Sequence, residues 1–524
     1  MIHKYFCLIL LNFLVFSITA LSQVIVYPIP LKESTSLDYQ VKVNNKKVNI
    51  YYARVSAIPI NIWPGINRPL GQTELASFGY FDIRGEAIIS IDSKECIRDV
   101  IIRPLSLKIN PIIEGNRITF KISKSCQVVV EVNGWHHALH LFANPVETNL
   151  IVKSSKNILY FGPGVHYPGV IHAKSNQTIY LAGGAVVYGA IYGYHVKNVK
   201  IIGRGILDAS YFKRGVDSIS ILQFEHCDNL LIDGIILRDS HIWTLFLHES
   251  ANVVINNIKI IGMWRYNADG IDIVNSRNVI AKNSFIRAFD DCIALKGIRT
   301  NYWAKEDPHW DSLSQSSIKN ISVSNCVIWN DWGYALEIGE ETLADSISHV
   351  TFKDCDIIHY VWGAINIQNG NRAVVHDIRY ENIRIEDPIT KNVFLDDLAN
   401  PVTDISRIED SVRKIYKYKE KNIGHLIDIN VKDNGWQKDK SLGSVSNILF
   451  KNINYSSTHS PVYSTFEGYS NIHKISNLRF INLIINGHHI QSCKDANFQV
   501  NKFVEKIYFG KGGKGICKTC IDSG

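Results

Sequence analysis

Residues 252–261 read Asn-Val-Val-Ile-Asn-Asn-Ile-Lys-Ile-Ile, and this pattern recurs along the chain from residue 198 onward. In each copy a polar residue, usually Asn, precedes a short strand, and an apolar or small residue six positions later begins a second strand. Most successive copies begin 23 to 31 residues apart, with no helical periodicity between them. The polar position is occupied by Asn198, Asn229, Asn252, Asn278, Asn320, His349, Asp377, Asn447 and Asn477.

Short strands at this spacing are typical of a parallel β-solenoid, in which one rung cannot bury its inner face without its neighbours. Asn side chains can stack in ladders at the turns of such a fold, which explains their recurrence without any function. Cys326 and Cys355 occupy the sixth position of their copies and are therefore expected to point into the core. The sequence predicts a solenoid over residues 151–524.

Two gaps between copies are long and predict insertions into the solenoid. Residues 298–317 add a polar and aromatic segment that contains Trp303 and Trp310. Residues 388–444 add a longer segment, with an amphipathic helix expected near Ile405–Lys419. Insertions into a solenoid collect on one face, which is often the binding face.

The region before the repeats has a different texture. Residues 23–150 contain short segments rich in Val, Ile and Tyr, separated by Asn, Gly, Lys and Pro. Strands of this length and spacing predict a β-sandwich of seven to nine strands. The fold expected for the whole chain is therefore all-β, with an N-terminal β-sandwich before a solenoid.

The first residues have the features of a signal peptide. Lys4 precedes an apolar stretch from Phe6 to Leu21, and Ala20-Leu21-Ser22 fits a cleavage site. Residues 1–22 are therefore expected to be removed, and no later stretch is apolar enough to span a bilayer. We expect a secreted or periplasmic protein, monomeric and with no integral membrane segment after cleavage. The formal charge of +7 over 524 residues, without a Lys or Arg run, argues against a nucleic-acid partner.

A carboxylate cluster is predicted where two neighbouring rungs meet. The segment Tyr-Asn-Ala-Asp-Gly-Ile-Asp-Ile starts at residue 266, and Asp290-Asp291 follows about one rung after Asp269. Adjacent parallel strands lie about 4.8 Å apart, so the three carboxylates should converge on one face. Repulsion should keep one of them protonated, and an acid beside ionised carboxylates is what glycosidic hydrolysis needs.

The motifs Asn267-Ala268-Asp269 and Asp290-Asp291 resemble those of glycoside hydrolase family 28, the polygalacturonases, and the layout is similar to that of the family 49 dextranases. The resemblance implies a β-sandwich followed by a right-handed parallel β-helix and an inverting mechanism without a metal or other cofactor. It implies that Asp290 is the general acid and that Asp269 and Asp291 hold and activate water.

Departures from the family pattern bear on the substrate. Tyr334 stands where polygalacturonases carry His, and Asn366 and Gln368 stand where they carry an Arg and a Lys. Those cations pair with the galacturonate carboxylate, and neutral amides cannot replace their charge. A neutral sugar is therefore favoured over galacturonate. Glu337 is similar to a Glu of the dextranases and is expected to bind hydroxyls or to tune Asp290.

Further residues are candidates for contact with the substrate. Lys296 follows the Asp pair, as in family 28, and could contact substrate or lower the pKa of a neighbouring carboxylate. Trp303 and Trp310 could stack on sugar rings, as could Trp243 and Trp332. Additional cations that could reach the site are Arg265 and Arg299.

The leading hypothesis is a secreted inverting hydrolase of a neutral polysaccharide or oligosaccharide. Three alternatives stay open at this point: a polygalacturonase proper, a polysaccharide lyase or epimerase on a similar β-helix, and a non-catalytic glycan-binding solenoid. A lyase of this architecture usually needs Ca²⁺-binding carboxylates and acts on uronates, so the missing uronate cations count against it.

Overall fold

The computed structural model describes residues 22–31, 33–57, 68, 70–148, 155–298, 317–386, 424–433, 441–457 and 463–510. The predicted signal peptide lies outside the described residues apart from Ser22, as do Trp303, Trp310, Arg299 and the helix expected at Ile405–Lys419. The described residues are β-strands and loops with two short 3-10 helices, Leu70–Gln72 and Leu105–Leu107. None of the described residues forms a helix that could cross a membrane.

Two sheets form the N-terminal region. One sheet has the order β1-β5-β11-β10-β7, with β4 also paired to β5, and the other has the order β3-β2-β6-β9-β8. Their facing apolar residues form a shared core. The strands are β1 Gln23–Val26, β2 Tyr39–Val43, β3 Lys46–Val48, β4 Ile50–Ser56, β5 Thr73–Arg84, β6 Ala87–Ser93, β7 Val100–Arg103, β8 Ile112–Glu114, β9 Arg117–Ile122, β10 Cys126–Val132 and β11 Leu139–Pro145.

These sheets confirm the sandwich-like N-terminal region, but its described residues form eleven strands where seven to nine were expected, and the long strand β5 and the strand β11 are among those overlooked. The twelve-residue β5 is buried along most of its length, and β11 is buried up to Pro145. Strands buried on both sides lack the alternation of polar and apolar residues that marks a half-exposed strand. The missing alternation explains why sequence patterning overlooked them.

The remaining strands wind into a parallel β-helix with three faces. The first face contains β12 Ile158–Phe161, β14 Thr178–Leu181, β16 Lys197–Gly203, β19 Asp228–Asp233, β22 Ala251–Asn256, β25 Arg277–Lys282, β28 Ile318–Ser324, β31 Ser346–Lys353, β34 Val374–Ile385, β36 Ser444–Tyr455, β38 Ile475–Ile485 and β41 Val504–Gly510. The second face contains β13 Gly164–His172, β15 Ala185–Tyr194, β18 Leu222–Glu225, β21 Leu245–His248, β24 Ile271–Val274, β27 Ile293–Gly297, β30 Tyr334–Thr342, β33 Gly363–Asn369, β35 His425–Val431, β37 Tyr463–Glu467 and β40 Phe498–Val500. The third face contains β17 Ile206–Asp208, β20 Ile236–Arg238, β23 Lys259–Ile261, β26 Phe285–Ala288, β29 Val327–Asn330 and β32 Asp356–His359. A two-residue strand, β39 His488–His489, pairs antiparallel with β38.

The recurrence of Asn has two causes, the backbone conformation of the turn and a ladder of side-chain hydrogen bonds. All nine polar positions of the repeat have positive φ, between 55° and 59°. Asn tolerates this left-handed conformation better than most residues do. Their side chains also bond from rung to rung: Asn229 donates to Asn198 at 2.7 Å, and Asn278 donates to Asn252 at 3.0 Å. The ladder expected from the sequence is therefore present, and the turn geometry selects the residue type.

The inner surface of the helix is a continuous apolar core. Cys326 and Cys355 are fully buried in it, as expected for the sixth position of the repeat. Aromatic rings stack in register along the axis, with Phe352, Tyr380 and Phe450 separated by about one strand spacing. Close packing of this kind fixes each rung on its neighbour.

The N-terminal sheets pack on the third face. A mixed apolar cluster joins Tyr51, Phe78 and Phe142 to Phe285 and Trp329 of the β-helix. Buried ion pairs cross the same boundary, with Arg103 2.6 Å from Glu386 and Asp82 3.0 Å from Arg204. These contacts hold the N-terminal sheets against the third face of the β-helix.

The segment 388–444 is not insertion throughout. Its residues His425–Val431 form β35, which pairs with β33 and β37 on the second face. Those residues complete the rung that begins with β34, whose polar position is Asp377, so the insertion separates two strands of one rung. Residues 387–423 and 434–440 lie outside the described residues.

Candidate active site

The candidate site lies on successive turns that connect the third face to the second. The turn after β23 carries Asn267 and Asp269, and the turn after β26 carries Asp290 and Asp291. Main-chain hydrogen bonds continue through these turns, since Gly270 N donates to Asp291 O at 2.8 Å. The strands that follow are paired with Ile271 opposite Ile293, so Asp269 and Asp291 occupy equivalent positions one rung apart. The solenoid therefore brings the predicted carboxylates together.

Lys296 lies at the centre of this cluster. Its ammonium nitrogen is 2.8 Å from Asp269 Oδ2, 3.3 Å from Asp272 Oδ1 and 3.4 Å from Asp291 Oδ2. It also lies 4.5 Å from the centre of the Trp243 ring. Lys296 is 5% exposed and the described carboxylates around it are mostly buried, so these charges interact with little solvent screening.

Burial opposes the charge of Lys296, but the surrounding carboxylates outweigh it and raise its pKa well above the usual value. Burial raises the pKa of Asp269 to about 6, with Lys296 opposing the shift. Burial also raises the pKa of Asp291, against the effect of Lys296 and of the Tyr334 N–H, which bonds Asp291 Oδ1 at 3.1 Å. Lys296 thus favours the ionised forms of both carboxylates.

Asp290 has a different environment. Within the described part of the chain, Lys296 does not come within ion-pair distance of it. Asn267 Nδ2 lies 3.5 Å from Asp290 Oδ2, and Asn330 donates to the Asp290 carbonyl at 2.7 Å. Burial, followed by the negative charges of Asp269 and Asp291, raises the pKa of Asp290 well above its usual value. Among these three carboxylates, Asp290 is the best placed to stay protonated near neutral pH.

The glycine before Tyr334 makes room for the Asp pair. A Cβ atom at Gly333 would lie 2.6 Å from Asp290 Oδ1 and 2.7 Å from Asp291 Oδ1. Contacts that short would force the carboxylates to move, so only glycine fits the observed arrangement. Gly333 is therefore part of the geometry of the site.

Tyr334 lies in register with Asp291, on the next rung. Its ring stacks on Trp362 with centroids 5.6 Å apart, and Gln368 Nε2 donates to its hydroxyl at 2.7 Å. Burial raises the pKa of the Tyr334 phenol well above its usual value. The phenol therefore remains neutral at physiological pH and cannot take the role of an imidazole that titrates near 7.

An outward-facing row on the second face continues the site. Asp272, Ala294, Glu337, Asn366 and Asp428 are paired in that order on successive strands. The Asn366 amide donates to Glu337, and both side chains are buried. Burial, and next the charge of Asp291, raises the pKa of Glu337 well above its usual value.

The structure places two of the candidate tryptophans and one of the candidate cations in other contacts. Trp243 and Trp332 are 7% and 9% exposed, so both are mainly packing residues rather than stacking surfaces. Trp332 stacks on Phe289 with centroids 5.5 Å apart. Arg265 does not reach toward the carboxylates, because it pairs with Asp239 and lies over the Trp264 ring.

The sequence interpretation overlooked two charged residues at the site. Arg214 comes from the loop after β17, and its guanidinium donates to Asn267 Oδ1. Asp272 is fully buried on β24 beside Lys296, and burial raises its pKa well above the usual value. Asp272 lies two residues before Val274, the residue paired with Lys296. Because side chains alternate along a strand, this spacing could have indicated that Asp272 shares a face with Lys296. No sequence signal points to Arg214.

The arrangement combines a buried carboxyl that favours its protonated form with two carboxylates held by an ammonium. Such a set can donate a proton to one atom and accept a proton from another.

Comparison with known proteins places this geometry in a family context. Residues 189–405 match the family model described as glycosyl hydrolases family 28. Among curated proteins, the chain is 24% identical over 259 residues to exopolygalacturonase rpg15 of Rhizopus delemar, covering 46% of this chain and 60% of that protein. It is 27% identical over 169 residues to a probable endopolygalacturonase D of Neosartorya fischeri, covering 32% of this chain and 29% of that protein. The matches thus span less than two thirds of either relative.

Solved structures show the same fold. Dex49A from Penicillium minioluteum aligns with a TM-score of 0.51 at 15% identity, covering 91% of this chain and 96% of that one. A hyperthermoactive exopolygalacturonase from Thermotoga maritima aligns with a TM-score of 0.50 at 17% identity, covering 68% of this chain and 84% of that one. The all-β architecture with a right-handed parallel β-helix is thereby confirmed. The resemblance to glycosyl hydrolases family 28, with a layout similar to that of a family 49 dextranase, is likewise confirmed, and residues 189–405 carry it.

Proposed function

We propose that this chain is a secreted glycoside hydrolase that cleaves O-glycosidic bonds of a polysaccharide or oligosaccharide with inversion. The observation that carries the proposal is the unequal environment of three neighbouring carboxylates. Lys296 contacts Asp269 and Asp291 within 3.4 Å, whereas Asp290 faces the Asn267 amide. Pairs of carboxyl groups whose surroundings separate their pKa values are the usual acid and base of such reactions.

In the proposed reaction Asp290 is the general acid. Its carboxyl gives a proton to the glycosidic oxygen as the bond from that oxygen to the anomeric carbon breaks. Asp269 and Asp291 hold a water molecule on the opposite side of the sugar and accept its proton as the new bond to the anomeric carbon forms. Attack from the side opposite the leaving group inverts the anomeric centre, and the reaction needs no metal or cofactor.

Lys296 has a positioning role in this proposal. The ammonium offsets the burial that would otherwise protonate Asp269 and Asp291, so that at least one of them can act as a base near neutral pH. Asn267 holds Asp290 in place, because its amide nitrogen lies 3.5 Å from that carboxyl while Arg214 donates to its amide oxygen.

A neutral sugar is the favoured substrate. Asn366 and Gln368 are uncharged, and their amides are occupied with Glu337 and the Tyr334 hydroxyl. A uronate carboxylate placed beside them would be desolvated without a cation. Whenever Glu337 is ionised, its negative charge would also repel that carboxylate. Asn267, Tyr334 and Glu337 are left to contact hydroxyl groups, with Trp303 and Trp310 as further candidates from the 298–317 insertion.

A hydrolase of polygalacturonate is the second candidate. The curated relatives carry polygalacturonase names, and Arg214 supplies a cation beside Asn267. Arg214 lies on a rung before the Asp pair, whereas Asn366 lies on a rung after it. Arg214 would therefore serve a different sugar position from the one expected for the missing Arg and Lys.

The test is a screen of the purified protein and its Asp290→Asn variant against neutral and acidic polysaccharides, with product sizing. We expect new reducing ends from a neutral glycan and a loss of about 10²–10⁴-fold in turnover in the variant. Asp345→Asn, at an exposed carboxylate, is the matched control and should retain full activity. Products with unsaturated ends that absorb in the ultraviolet would indicate a lyase instead, and binding without turnover would indicate a non-catalytic solenoid.

We also propose that the protein is secreted and monomeric. The proposed boundaries are 1–22 for the signal peptide, 23–150 for the N-terminal sandwich and 151–524 for the β-helix. A mature protein that begins at Gln23 in culture medium or periplasm, and elutes as a monomer, would support them. Retention of the first 22 residues in a membrane fraction would contradict the predicted cleavage.

A further inference from the structure

We propose that Tyr167, Tyr188 and Tyr211, here called the tyrosine platform, form a stacking subsite for a sugar ring of the glycan chain, away from the bond that is cleaved. This inference rests on the proposed hydrolase function and adds a binding site to it. The observation behind it is an exposed aromatic corner on the same edge of the β-helix as Asp269 and Asp290.

The three rings are mutually packed but open to solvent. The Tyr167 ring is parallel to Tyr188, with centroids 5.2 Å apart and an interplanar angle of 10°. Tyr211 stands at 76° to Tyr167 and at 80° to Tyr188, so the rings form a corner rather than a flat patch. Tyr167 is 58% exposed and Tyr211 is 66% exposed. An exposed cluster of aromatic rings, unlike a single exposed ring, is the kind of surface patch that marks a binding site.

The backbone is shaped to present these rings. Tyr167 and Pro168 together oppose Tyr188, because the pairing of β13 with β15 passes from His166 opposite Val187 to Gly169 opposite Gly189. Such a bulge redirects a side chain, and bulges occur often beside active sites. Below it, the Tyr188 hydroxyl donates to Glu33, which also pairs with Arg238 at 3.0 Å. The inner ring of the platform is therefore fixed before any ligand arrives.

Strand pairing sets the distance from the platform to the turn that carries Asn267 and Asp269. Tyr188 pairs with Asp208, Asp208 with Arg238, and Arg238 with Ile261, which ends the strand before the Asn267 turn. Three strand spacings correspond to roughly 14 Å along the helix axis. A chain bound across Asp290 and Asp269 and running parallel to that axis would pass over the platform.

One loop connects the platform to the site. Tyr211 lies three residues before Arg214, whose guanidinium bonds Asn267. The loop between them is anchored, since Phe212 stacks on His241 with centroids 5.5 Å apart and Lys213 N bonds Asp217 Oδ2 at 2.7 Å. The exposed rings and the catalytic turn thus belong to one ordered surface.

A sugar ring is the occupant that fits this surface. Its two faces are formed by C–H groups while its hydroxyls lie at the rim, so an aromatic face can cover it without desolvating the hydroxyls. An L-shaped pair of rings can contact one face and one edge of the same sugar, and aromatic contacts of this kind add modest, orientation-dependent affinity.

The test measures binding of oligosaccharides of increasing length to the Asp290→Asn protein, using fragments of whichever polysaccharide the wild type hydrolyses. We expect Tyr211→Ala and Tyr167→Ala to weaken binding of the longer fragments about five- to tenfold, with a loss that grows with chain length. Tyr211→Phe, which keeps the ring, should stay within twofold of the parent. Tyr469→Ala removes an equally exposed tyrosine from a different turn and should change nothing.

The outcomes separate the subsite from the hydrolase itself. Unchanged binding at all lengths would overturn the platform while leaving the proposed function intact, and so would an equal loss at all lengths, because that pattern means a displaced Arg214. A wild type that hydrolyses no polysaccharide, and an Asp290→Asn protein that binds none, would refute the proposed function and the platform together.

Discussion

The Lys296 ammonium lies 2.8 Å from the Asp269 carboxylate and 3.4 Å from the Asp291 carboxylate, so one cation serves both members of the proposed water-holding pair. The two carboxylates come from successive turns, and the lysine comes from the strand that follows the second turn. The parallel pairing of β24 with β27 is what makes the three meet. The ion pairs of the site therefore form only when these two strands pair in this register.

Replacing Lys296 with Met should damage both activity and stability. Three carboxylates would remain in a buried cluster without their cation, which costs about 3–5 kcal/mol when one partner of a buried pair is removed. Part of that cost would be relieved by proton uptake, so the pKa of Asp269 should rise above its present value of about 6. Urea unfolding near neutral pH, together with the pH dependence of kcat/KM, measures both effects.

Lys432→Met is the matched control, because Lys432 pairs with Glu340 at 3.0 Å on a part of the surface where the lysine is 44% exposed. It should change the unfolding free energy by less than about 1 kcal/mol. A Lys296→Met protein with wild-type stability and an unshifted pH profile would show that the ammonium does not control these carboxylates.

The pH dependence of kcat/KM should be bell-shaped. Asp269 must be ionised to accept a proton, and its pKa is raised to about 6, so activity should fall tenfold per pH unit well below that value. Asp290 must be protonated, and its pKa is raised well above the usual value, so activity should fall again on the alkaline side. Initial rates across a pH series measure both limbs. A rate that stays constant down to pH 4 would contradict the assignment of Asp269 as a base.

Gly333→Ala should lower kcat strongly while leaving the thermal unfolding temperature nearly unchanged. The added methyl group would lie 2.6 Å from Asp290 Oδ1, so the carboxylates must move by some tenths of an ångström or more. Misplacement of about 1 Å can cost about 10²-fold in rate. Kinetics and a thermal unfolding curve measure the two effects. Gly162→Ala, where the nearest atom is a Tyr160 side-chain carbon at 3.3 Å, is the control and should keep its activity.

Polygalacturonate should be a poor substrate compared with a neutral glycan. A buried uronate without a cation loses about 2–5 kcal/mol, which corresponds to roughly thirtyfold or more in affinity. Hydrolysis rates on both polymers, measured at low and high salt, test this expectation. Efficient and salt-sensitive cleavage of polygalacturonate, abolished by Arg214→Ala, would identify Arg214 as a substitute cation and would refute the preference for a neutral sugar.

Sequence patterning was sufficient for the solenoid because its rungs repeat. Each Asn of the repeat occupies a left-handed turn position, and the sixth residue after it is buried. The residue type and the spacing therefore both predict where each rung begins. β35 was missed because the repeat marks only the strands next to each polar position, and residues 386–424 separate β35 from β34, which carries Asp377 in the same rung. In the N-terminal region β5 was missed because burial on both sides removes the alternation that reveals a strand.

The candidate site was only partly accessible to the same reasoning. Asp269 and Asp291 lie one rung apart, so the register of a solenoid brings them together. Arg214 reaches Asn267 from a loop two turns earlier, and no spacing rule predicts how a loop folds over its neighbours. The burial of Trp243 and Trp332 could not be foreseen either, because an aromatic residue in a turn can point toward solvent or toward the core.

The anomeric configuration of the first-formed product tests the central claim most directly. Proton NMR spectra recorded during the first minutes of hydrolysis, before mutarotation, distinguish the two anomers. The arrangement of Asp290 as acid with Asp269 and Asp291 holding a water predicts a product of inverted configuration. A first product of retained configuration, or a covalent glycosyl-enzyme on Asp269 or Asp291, would contradict it.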